Sequence, residues 1–328
     1  MRWIAGILAG ALAACAPVTQ VTEEAPADPN RSNTDMLDTI ANLVDDEIPE
    51  QFDWRQSFPS WYAAVEPYQV IGTGKTGIYF VGTEGLGMYF IPTDAGHIMI
   101  DGGMPGEGQY VADAIRKLGF DPKDVKILLN SHAHLDHSGG LAELKTLTGA
   151  NLVASEGDRS ALEGGFYLGS EEDSAMNAPP VKVDRIIADG EQLKLGNVTL
   201  TAHITPGHSR GCTSWTMPVV QGAQTYQALF FCSATVAANR LIGPPQYEGI
   251  VADYRKTFAM TKDWKPDIFL ANHPEFAGLA EKREHQKAGD PLAFVDREGF
   301  PAMMAKLEQA FEAALQKQML KHNSIMSD

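Results

Sequence analysis

The chain has 328 residues, of which 44% are hydrophobic, and a formal net charge of −16. This length and composition can bury a large core in one domain or two. A negative charge without any run of Lys or Arg excludes the usual nucleic-acid-binding proteins, which need a basic patch. No apolar stretch of about 18 residues occurs beyond the N-terminus, so no internal membrane span is predicted.

Residues 1–15 are typical of a secretory signal. Basic Arg2 precedes an apolar run from Trp3 to Ala14, which is too short to span a bilayer. The segment Leu12-Ala13-Ala14-Cys15 resembles a bacterial lipobox, which implies that Cys15 carries a lipid in the periplasm. Ala16, rather than Asp, follows the cysteine, and by resemblance to lipoprotein sorting signals this implies sorting to the outer membrane. The alternative is simple signal cleavage beside an incidental cysteine.

A polar segment at residues 16–46 predicts a linker, because it is rich in Glu, Asp, Ala, Pro, Thr and Asn. A short helix is predicted within it, from Thr34 to Val44. The folded domain is expected to occupy residues 47–328. Three aromatic side chains near its start are expected to pack in the core or at the edge of a site. They are Phe58, Trp61 and Tyr62.

The first part of the domain predicts three antiparallel strands followed by a helix. The strands are apolar runs separated by glycine-rich or Thr-Asp-Ala-Gly turns, at residues 78–81, 88–91 and 97–100. The third ends at Asp101-Gly102-Gly103, where the glycines allow a tight turn and Asp101 is placed to support a metal ligand. Apolar residues at helical spacing then predict a helix over 111–118.

A dense group of potential metal ligands follows the next strand. The apolar run at 127–129 is too short for a helix, so we interpret it as a buried strand. The chain continues as SHAHLDHSGG, which contains His132, His134, Asp136 and His137. Imidazole and carboxylate groups are common zinc ligands. A polar loop with coincidental histidines is the alternative, which the H-x-H-x-D-H spacing disfavours.

Two later strands also end in a histidine. An apolar run at 198–204 leads into Thr205-Pro206-Gly207-His208, and another at 268–271 leads into Asn272-His273. Residues 164–180 are glycine-rich and acidic and predict an exposed loop near the site. The other predicted elements are helices at 141–147, from 158 and at 300–321, and strands at 151–154, 181–187, 213–219 and 228–231.

Two cysteines flank a predicted hairpin whose strands run over about 212–219 and 226–233. If the turn is centred on Gly222, Cys212 and Cys232 lie opposite each other. An exported protein can join them in a disulfide, because the periplasm is oxidising. Two buried free thiols are the alternative.

Six candidate ligands thus come from three strand ends, and they divide into two sets of three. A catalytic zinc site commonly has three protein ligands and leaves a fourth position for water. Two adjacent metal ions lower the pKa of a shared water toward about 7, which provides a hydroxide nucleophile without a nucleophilic side chain. The residues therefore predict a two-metal hydrolase.

The sequence resembles the metallo-β-lactamase superfamily over roughly residues 52–320, and within it the third subclass of class B β-lactamases. The resemblance rests on Asp101-Gly102-Gly103, SHAHLDHSGG, PPVKVD at 179–184, TPGHSRGCTSW at 205–215, and His273. It implies an α/β fold, an αββα sandwich of two mixed sheets flanked by helices in a single domain. It also implies two Zn²⁺ ions, one bound by His132, His134 and His208 and the other by Asp136, His137 and His273.

The strand after His208 separates this subclass from other members. Glyoxalase II and lactonases place a metal-bridging Asp there, where this chain has Phe231-Cys232-Ser233-Ala234. In the first subclass a cysteine at this strand end is a ligand. Ser233 matches that position better than Cys232, and His137 already supplies the ligand, so Cys232 is not expected to bind metal.

The resemblance also implies a reaction, which is attack of the zinc-bound hydroxide on a β-lactam carbonyl, with Asp136 as the catalytic residue that orients it. Ser233 and Thr235 would bind the substrate carboxylate. Asn239 and Arg240 are weaker candidates for that role, with ordinary loop surface as the alternative for both. The expected partner is a small β-lactam, and a monomer is expected.

Two other functions stay open at this point. The same metal site could hydrolyse lactones, esters or thioesters instead of β-lactams. A lipid-tethered binding protein with a vestigial site is the remaining alternative, which the intact set of six ligands disfavours.

Overall fold

Two β-sheets packed face to face form the centre of the computed structural model, which describes residues 52–327. The predicted signal peptide, the lipobox with Cys15, the linker and the helix at 34–44 lie outside the described residues. Within residues 52–327, no helix combines the length and the apolar character that crossing a membrane requires.

The first sheet has seven strands, arranged in the order of the sequence. They are β1 (Tyr68–Ile71), β2 (Ile78–Phe80), β3 (Tyr89–Thr93), β4 (Gly96–Ile100), β5 (Val125–Leu129), β6 (Asn151–Ser155) and β7 (Arg185–Ile187). β1 to β4 pair antiparallel, and β4 to β7 pair parallel. Because parallel strands end at the same edge of a sheet, the segments that follow β4 and β5 are neighbours.

The second sheet has five strands in the order β12-β11-β10-β9-β8. They are β8 (Gln192–Leu195), β9 (Val198–Ile204), β10 (Thr213–Gln221), β11 (Gln224–Phe231) and β12 (Ile268–Ala271). β8 to β11 pair antiparallel, whereas β11 and β12 run parallel.

Eight α-helices accompany the sheets in the described chain. They are α1 (Trp54–Ser57), α2 (Gly108–Lys117), α3 (Leu135–Ser138), α4 (Leu141–Thr148), α5 (Glu156–Gly164), α6 (Ile250–Thr261), α7 (Leu279–Lys287) and α8 (Gly299–Ser327). Short 3₁₀ turns occur at Pro59–Tyr62, Pro122–Asp124, Ser174–Met176 and Pro274–Ala277.

The alternation of side chains along each strand separates two layers of the core. In β4, Ile98 and Ile100 belong to the cluster between the sheets, whereas Met99 packs in the cluster with residues of α2 and α4. Across the two sheets, the rings of Tyr89 and Phe230 lie 5.2 Å apart. Helices α2, α4 and α5 therefore cover the outer face of the first sheet.

The opposite side of the second sheet is covered by α8 together with α6. Phe231 and Phe269 contact Phe300 of α8, with ring centroids 5.1 Å and 5.3 Å apart. Farther along α8, Phe311 contacts Tyr254 of α6. The layers are thus helices, sheet, sheet and helices, and the predicted αββα sandwich is confirmed.

Most predicted strands and helices are present, and six strands and α-helices are additional to the prediction. These are β1, β8, α1, α3, α6 and α7. The sequence of α7 lacks an apolar stripe, and only Leu279 is buried within it. Strand β8 has four residues, of which Leu193 alone is fully buried, so its alternation is too short to recognise.

The strand predicted over 181–187 is wrong in its first half, because only Arg185–Ile187 pairs with β6. The preceding backbone bonds instead to the end of α5: Val181 N donates to Leu162 O, and Val183 N donates to Glu163 Oε1. The alternating burial of these valines reflects packing beside a helix.

The predicted register of the β10–β11 hairpin is wrong by one residue. Gln221 pairs with Gln224, so the turn is centred between Gly222 and Ala223 rather than on Gly222. Gly222 has a φ of +62°, which allows the chain to reverse in two residues.

Candidate metal centre

All six predicted ligands meet at one edge of the two sheets. His132 and His134 follow β5, and the single turn of α3 carries Asp136 and His137. His208 follows β9, and His273 lies two residues after the end of β12. Five of the six residues are buried, and His134 is partly buried.

The first triad consists of His132, His134 and His208. The Nε2 atoms of His132 and His208 are 3.1 Å apart. The ring of His134 lies 4.5 Å from that of His132 and 4.6 Å from that of His208, measured between centroids. One nitrogen from each ring falls within 4.8 Å of the others, so the three can bind one cation.

The second triad consists of Asp136, His137 and His273. Asp136 Oδ2 lies 3.1 Å from His137 Nε2 and 3.3 Å from His273 Nε2. The two Nε2 atoms are 3.2 Å from each other. Three donor atoms at such short mutual distances are arranged for a common cation.

The first triad is electrically neutral. Burial lowers the pKa of His132 and His134 well below the ordinary value, and it lowers the pKa of His208 to about 4. A neutral imidazole has a free nitrogen lone pair, which is the form that binds zinc. The donor set of three nitrogens therefore fits a zinc ion.

The second triad contains a negative charge. Burial alone would raise the pKa of Asp136, but His137 and His273 hold it well below its usual range. Burial alone would lower the pKa of His273, but the hydrogen bond with Asp136 and the charge of Glu275 raise it. Two imidazoles and one carboxylate suit a divalent metal ion.

Hydrogen bonds on the outer side of two ligands determine which nitrogen faces the centre. His208 Nδ1 lies 2.7 Å from Thr235 O, and His273 Nδ1 lies 3.0 Å from Gly85 O. Because a carbonyl oxygen only accepts, both Nδ1 atoms carry a proton, and the Nε2 atoms are the nitrogens that face the centre.

Asp101 supports the centre from behind, as the sequence predicts. Its carboxylate accepts hydrogen bonds from Ser131 N at 2.6 Å, from Ser131 Oγ at 2.7 Å and from Asn130 Nδ2 at 3.2 Å. Its Oδ2 lies 3.7 Å from His137 Nδ1. Asp101 has a φ of +62°, and this strained backbone directs the carboxylate toward the loop that carries His132.

The glycines of the two motifs allow the Asp101 turn to lie directly against α3. Gly102 N donates to His137 O at 2.8 Å, and Gly140 N donates to Gly103 O at 3.1 Å. A Cβ at Gly140 would lie 2.1 Å from Gly102 O, which no other residue permits without a backbone shift.

An apolar cavity opens beside the ligands. Its walls include five aromatic side chains and Thr235. The aromatic residues are Trp54, Phe58, Trp61, Tyr167 and Phe276. Phe58 and Trp61 are thus at the edge of the site, as predicted.

The loop at 164–180 is near the site as predicted, but it is not simply exposed. Tyr167 is buried and stacks on His134, with ring centroids 4.3 Å apart and an interplanar angle of 15°. Met176 also lines the cavity. Trp54 Nε1 donates to Ala175 O at 2.9 Å and so connects α1 to this loop. The sequence signal for Tyr167 is weak, a single aromatic pair, Phe166-Tyr167, within a glycine-rich segment.

Ser233 and Thr235, predicted to bind a substrate carboxylate, lie together beside the first triad. Thr235 lines the cavity, and its Oγ1 is 3.2 Å from His208 Nδ1. Ser233 is buried, and its Oγ accepts from Thr235 N at 3.2 Å. The position of Thr235 is compatible with the predicted role, which stays a prediction for both residues.

The weaker candidates Asn239 and Arg240 have other partners. Asn239 is buried, and its side-chain amide bonds to protein groups. The Arg240 guanidinium donates to Gly169 O and to Ser170 Oγ in the loop at 164–180. Both side chains hold structure around the site, because neither has its polar group free toward the cavity.

Cys212 and Cys232 are joined in a disulfide, with their Cα atoms 5.8 Å apart. Both cysteines lie beyond the paired residues of β10 and β11, which is why the pair forms despite the shifted register. Cys232 Sγ lies 3.6 Å from His132 Nδ1, on the side of the ring opposite to the nitrogen that faces His208. The sulfur therefore does not point into either triad, in agreement with the expectation that Cys232 is not a ligand.

Comparisons with known proteins agree with this architecture. A model of the metallo-β-lactamase superfamily matches residues 88–220. The structure of BJP-1, a subclass B3 metallo-β-lactamase of Bradyrhizobium japonicum, is 47% identical, has a TM-score of 0.78, and is aligned over 81% of this chain and 99% of its own. The native FEZ-1 metallo-β-lactamase from Legionella gormanii is 33% identical, with a TM-score of 0.74 and coverages of 78% and 98%.

A curated relative has a different activity. The N-acyl homoserine lactonase AttM of Agrobacterium fabrum is 27% identical in an alignment 161 residues long, which covers 37% of this chain and 55% of AttM. The chain thus spans about half the length of this relative, whereas it covers nearly all of BJP-1. Family membership follows from the αββα layers, from the arrangement of the candidate ligands and from the sequence identity to BJP-1 and FEZ-1. The chain belongs to the metallo-β-lactamase superfamily, and subclass B3 enzymes are among its structural neighbours.

Proposed function

We propose that this protein is a zinc-dependent β-lactamase that hydrolyses the amide bond of the β-lactam ring. The observation that carries the proposal is the completeness of two separate triads beside one cavity, with His137 rather than a cysteine in the second. Its likeness to BJP-1 over nearly the whole of that enzyme supports the same activity.

The residues present fit two zinc ions. His132, His134 and His208 would hold one through neutral nitrogens, and Asp136, His137 and His273 would hold the other. Metal ions bound there supply Lewis acidity toward a carbonyl oxygen and lower the pKa of water.

Asp136 is the carboxylate of the second triad and lines the cavity. The low pKa of this carboxylate keeps it ionised, so it can accept a hydrogen bond from an attacking water and orient it. His134, His208 and His273 also line the cavity. Ligands and substrate therefore share one space.

The walls of the cavity determine how a substrate is held. Thr235 offers a hydroxyl that can donate to the substrate carboxylate. Phe58, Trp61 and Tyr167 provide apolar surface that excludes bulk water and strengthens electrostatic interactions inside the site. We expect substrates with one carboxylate and an apolar side group to fit best.

Metal analysis and a panel of β-lactams on the same purified sample test the proposal. We expect two zinc ions per chain, turnover of a chromogenic cephalosporin, and loss of turnover with a chelator that added zinc reverses. His208→Ala should abolish turnover, whereas His203→Ala, a half-buried histidine bonded to Thr216, should not. A zinc-loaded protein that turns over none of the penicillins, cephalosporins and carbapenems would contradict the proposal.

Hydrolysis of a lactone, ester or thioester is the second candidate, favoured by the similarity to AttM. The segment Phe231-Cys232-Ser233-Ala234 disfavours it, because the bridging Asp that the resemblance assigns to lactonases is missing. Lactone turnover far above β-lactam turnover on the same sample would favour this candidate.

A further inference from the structure

We infer that Asn239 is a positioning residue for the first triad and not part of the substrate-binding surface. Its side chain is 1% exposed, in a segment whose Thr235, Ala237 and Ala238 line the cavity. The inference rests on the proposed function only in that His132, His134 and His208 bind a metal ion.

The amide of Asn239 bonds to three groups around the site. Nδ2 donates to His208 O at 2.9 Å and contacts the Tyr254 hydroxyl at 3.1 Å, and Oδ1 accepts from the Tyr167 hydroxyl at 3.0 Å. Because His208 O only accepts, the nitrogen must face it, which fixes the orientation of the amide. Asp is nearly the same size as Asn but has no side-chain donor for this carbonyl.

Each of the three partners acts on the first triad. Tyr167 stacks on the ring of His134, with centroids 4.3 Å apart. The Tyr254 hydroxyl donates to Thr235 O at 2.7 Å, and the same carbonyl accepts from His208 Nδ1, also at 2.7 Å. Asn239 thus bonds to the backbone of His208 and to Tyr167, whose ring covers His134. It also contacts Tyr254, which bonds to the Thr235 carbonyl that orients His208.

The backbone of Asn239 is itself anchored to α8. Gln318 Nε2 donates to Asn239 O at 3.1 Å, and Gln318 Oε1 accepts from Leu241 N at 2.6 Å. Asn239 N donates to Val236 O at 3.0 Å and closes a turn. The C-terminal helix therefore fixes the residue that orients the ligands, and these outer contacts favour a positioning role over binding of substrate.

The test measures zinc affinity of the two triads separately, without any substrate. His273→Ala leaves the first triad complete, and His208→Ala leaves the second complete. In the His273→Ala background, Asn239→Asp should weaken zinc binding about 10- to 100-fold, the usual loss when a group that orients a ligand is removed. In the His208→Ala background it should leave zinc affinity unchanged. Competition with a chromophoric chelator gives both affinities.

Tyr167→Phe is the milder variant, because it removes one hydroxyl and keeps the ring over His134. It should weaken zinc binding severalfold in the His273→Ala background. If Asn239→Asp does not fold, the zinc affinity of Tyr167→Phe tests the inference in its place. Unchanged affinity of the first triad in a folded variant, or an equal loss at both triads, would overturn the inference. Since no substrate is used, absence of β-lactam turnover in the wild type leaves this outcome interpretable.

Discussion

Asp158 joins the two loops that carry the first triad. Its buried carboxylate accepts from Ala133 N at 3.1 Å in one loop, and from Ser209 Oγ at 2.9 Å and Gly211 N at 2.8 Å in the other. Ala133 lies between two ligands, and Ser209 follows His208 directly. One side chain thereby sets the distance between ligands that come from different sheets.

Replacing Asp158 with Ala should destabilise the metal-free protein by about 3 kcal/mol. Three buried donors would lose their acceptor, and each costs about 1 to 3 kcal/mol, at the low end of this range where water enters and bonds to the donors. Asp158→Asn keeps one acceptor and the side-chain volume, so a smaller loss is expected. Urea denaturation of the two variants and the wild type measures the difference. A loss below about 1 kcal/mol for Asp158→Ala would show that the loops do not depend on this carboxylate.

The buried carboxyl group of Glu107, at the start of α2, is expected to make the free energy of unfolding depend on pH. It is 8% exposed, its Oε2 accepts from Met104 N at 2.9 Å, and burial raises its pKa from 4.5 to about 7. A raised pKa means that the folded state binds the proton more tightly than the unfolded chain. The stabilisation is complete below the unfolded pKa and disappears as pH rises through about 7.

Glu107→Gln removes this titration and keeps an acceptor for Met104 N. Between pH 4.5 and pH 8 the wild type should therefore lose up to about 3 kcal/mol more free energy of unfolding than the variant. Urea denaturation across this pH range measures both curves. Glu308→Gln, an exposed change on α8, serves as the control and should follow the wild type. Parallel curves for Glu107→Gln and the wild type would contradict the prediction.

At the scale of elements, the disulfide connects the start of β10 to the end of β11, next to His132. Its two cysteines are 20 residues apart, and a cross-link closing a loop of this size stabilises by about 3 kcal/mol. The sulfur of Cys232 lies beside Nδ1 of His132 rather than beside the Nε2 that faces His208. The bond is thus expected to support the hairpin without taking part in metal binding.

The variant Cys212→Ala with Cys232→Ala should lose about 3 kcal/mol of stability and keep its zinc content. Denaturation curves and metal analysis of the same preparation measure the two quantities. The wild type, unfolded and refolded under reducing conditions, is the matched control. Loss of one zinc ion from the folded double variant would show that the disulfide also positions His132.

Element by element, the predictions succeeded where a pattern is local. Each of the strands β4, β5, β9 and β12 is a short run rich in apolar residues that ends at a polar residue, and the predicted bounds agree with the structure within about two residues. The segment at 181–184 also alternates, yet the N–H groups of Val181 and Val183 bond to residues of α5. Alternating apolar and polar residues indicate that one side of a segment is buried. They do not indicate whether a strand or a helix covers that side.

For the whole molecule, the sequence of residues 1–15 predicts export and attachment to a membrane by a lipid on Cys15. Cells expressing the full chain and labelled with palmitate should yield labelled protein in the outer-membrane fraction. Cys15→Ala should abolish the label and release the protein from membranes, while β-lactam turnover persists. Ala16→Asp is the matched sorting variant and should move the labelled protein to the inner membrane. Unlabelled, released wild-type protein would indicate ordinary signal cleavage instead.

The sequence by itself determined the six candidate ligands, because H-x-H-x-D-H lies within one short loop and His208 and His273 each follow a strand. Their assignment to two triads came from the family resemblance. Only the tertiary structure decided what surrounds them. Tyr167 and Asn239 are 72 residues apart, and Asp158 reaches Ala133 across 25 residues. Single side-chain hydrogen bonds between distant segments leave no periodic pattern, because folding of the intervening chain creates them.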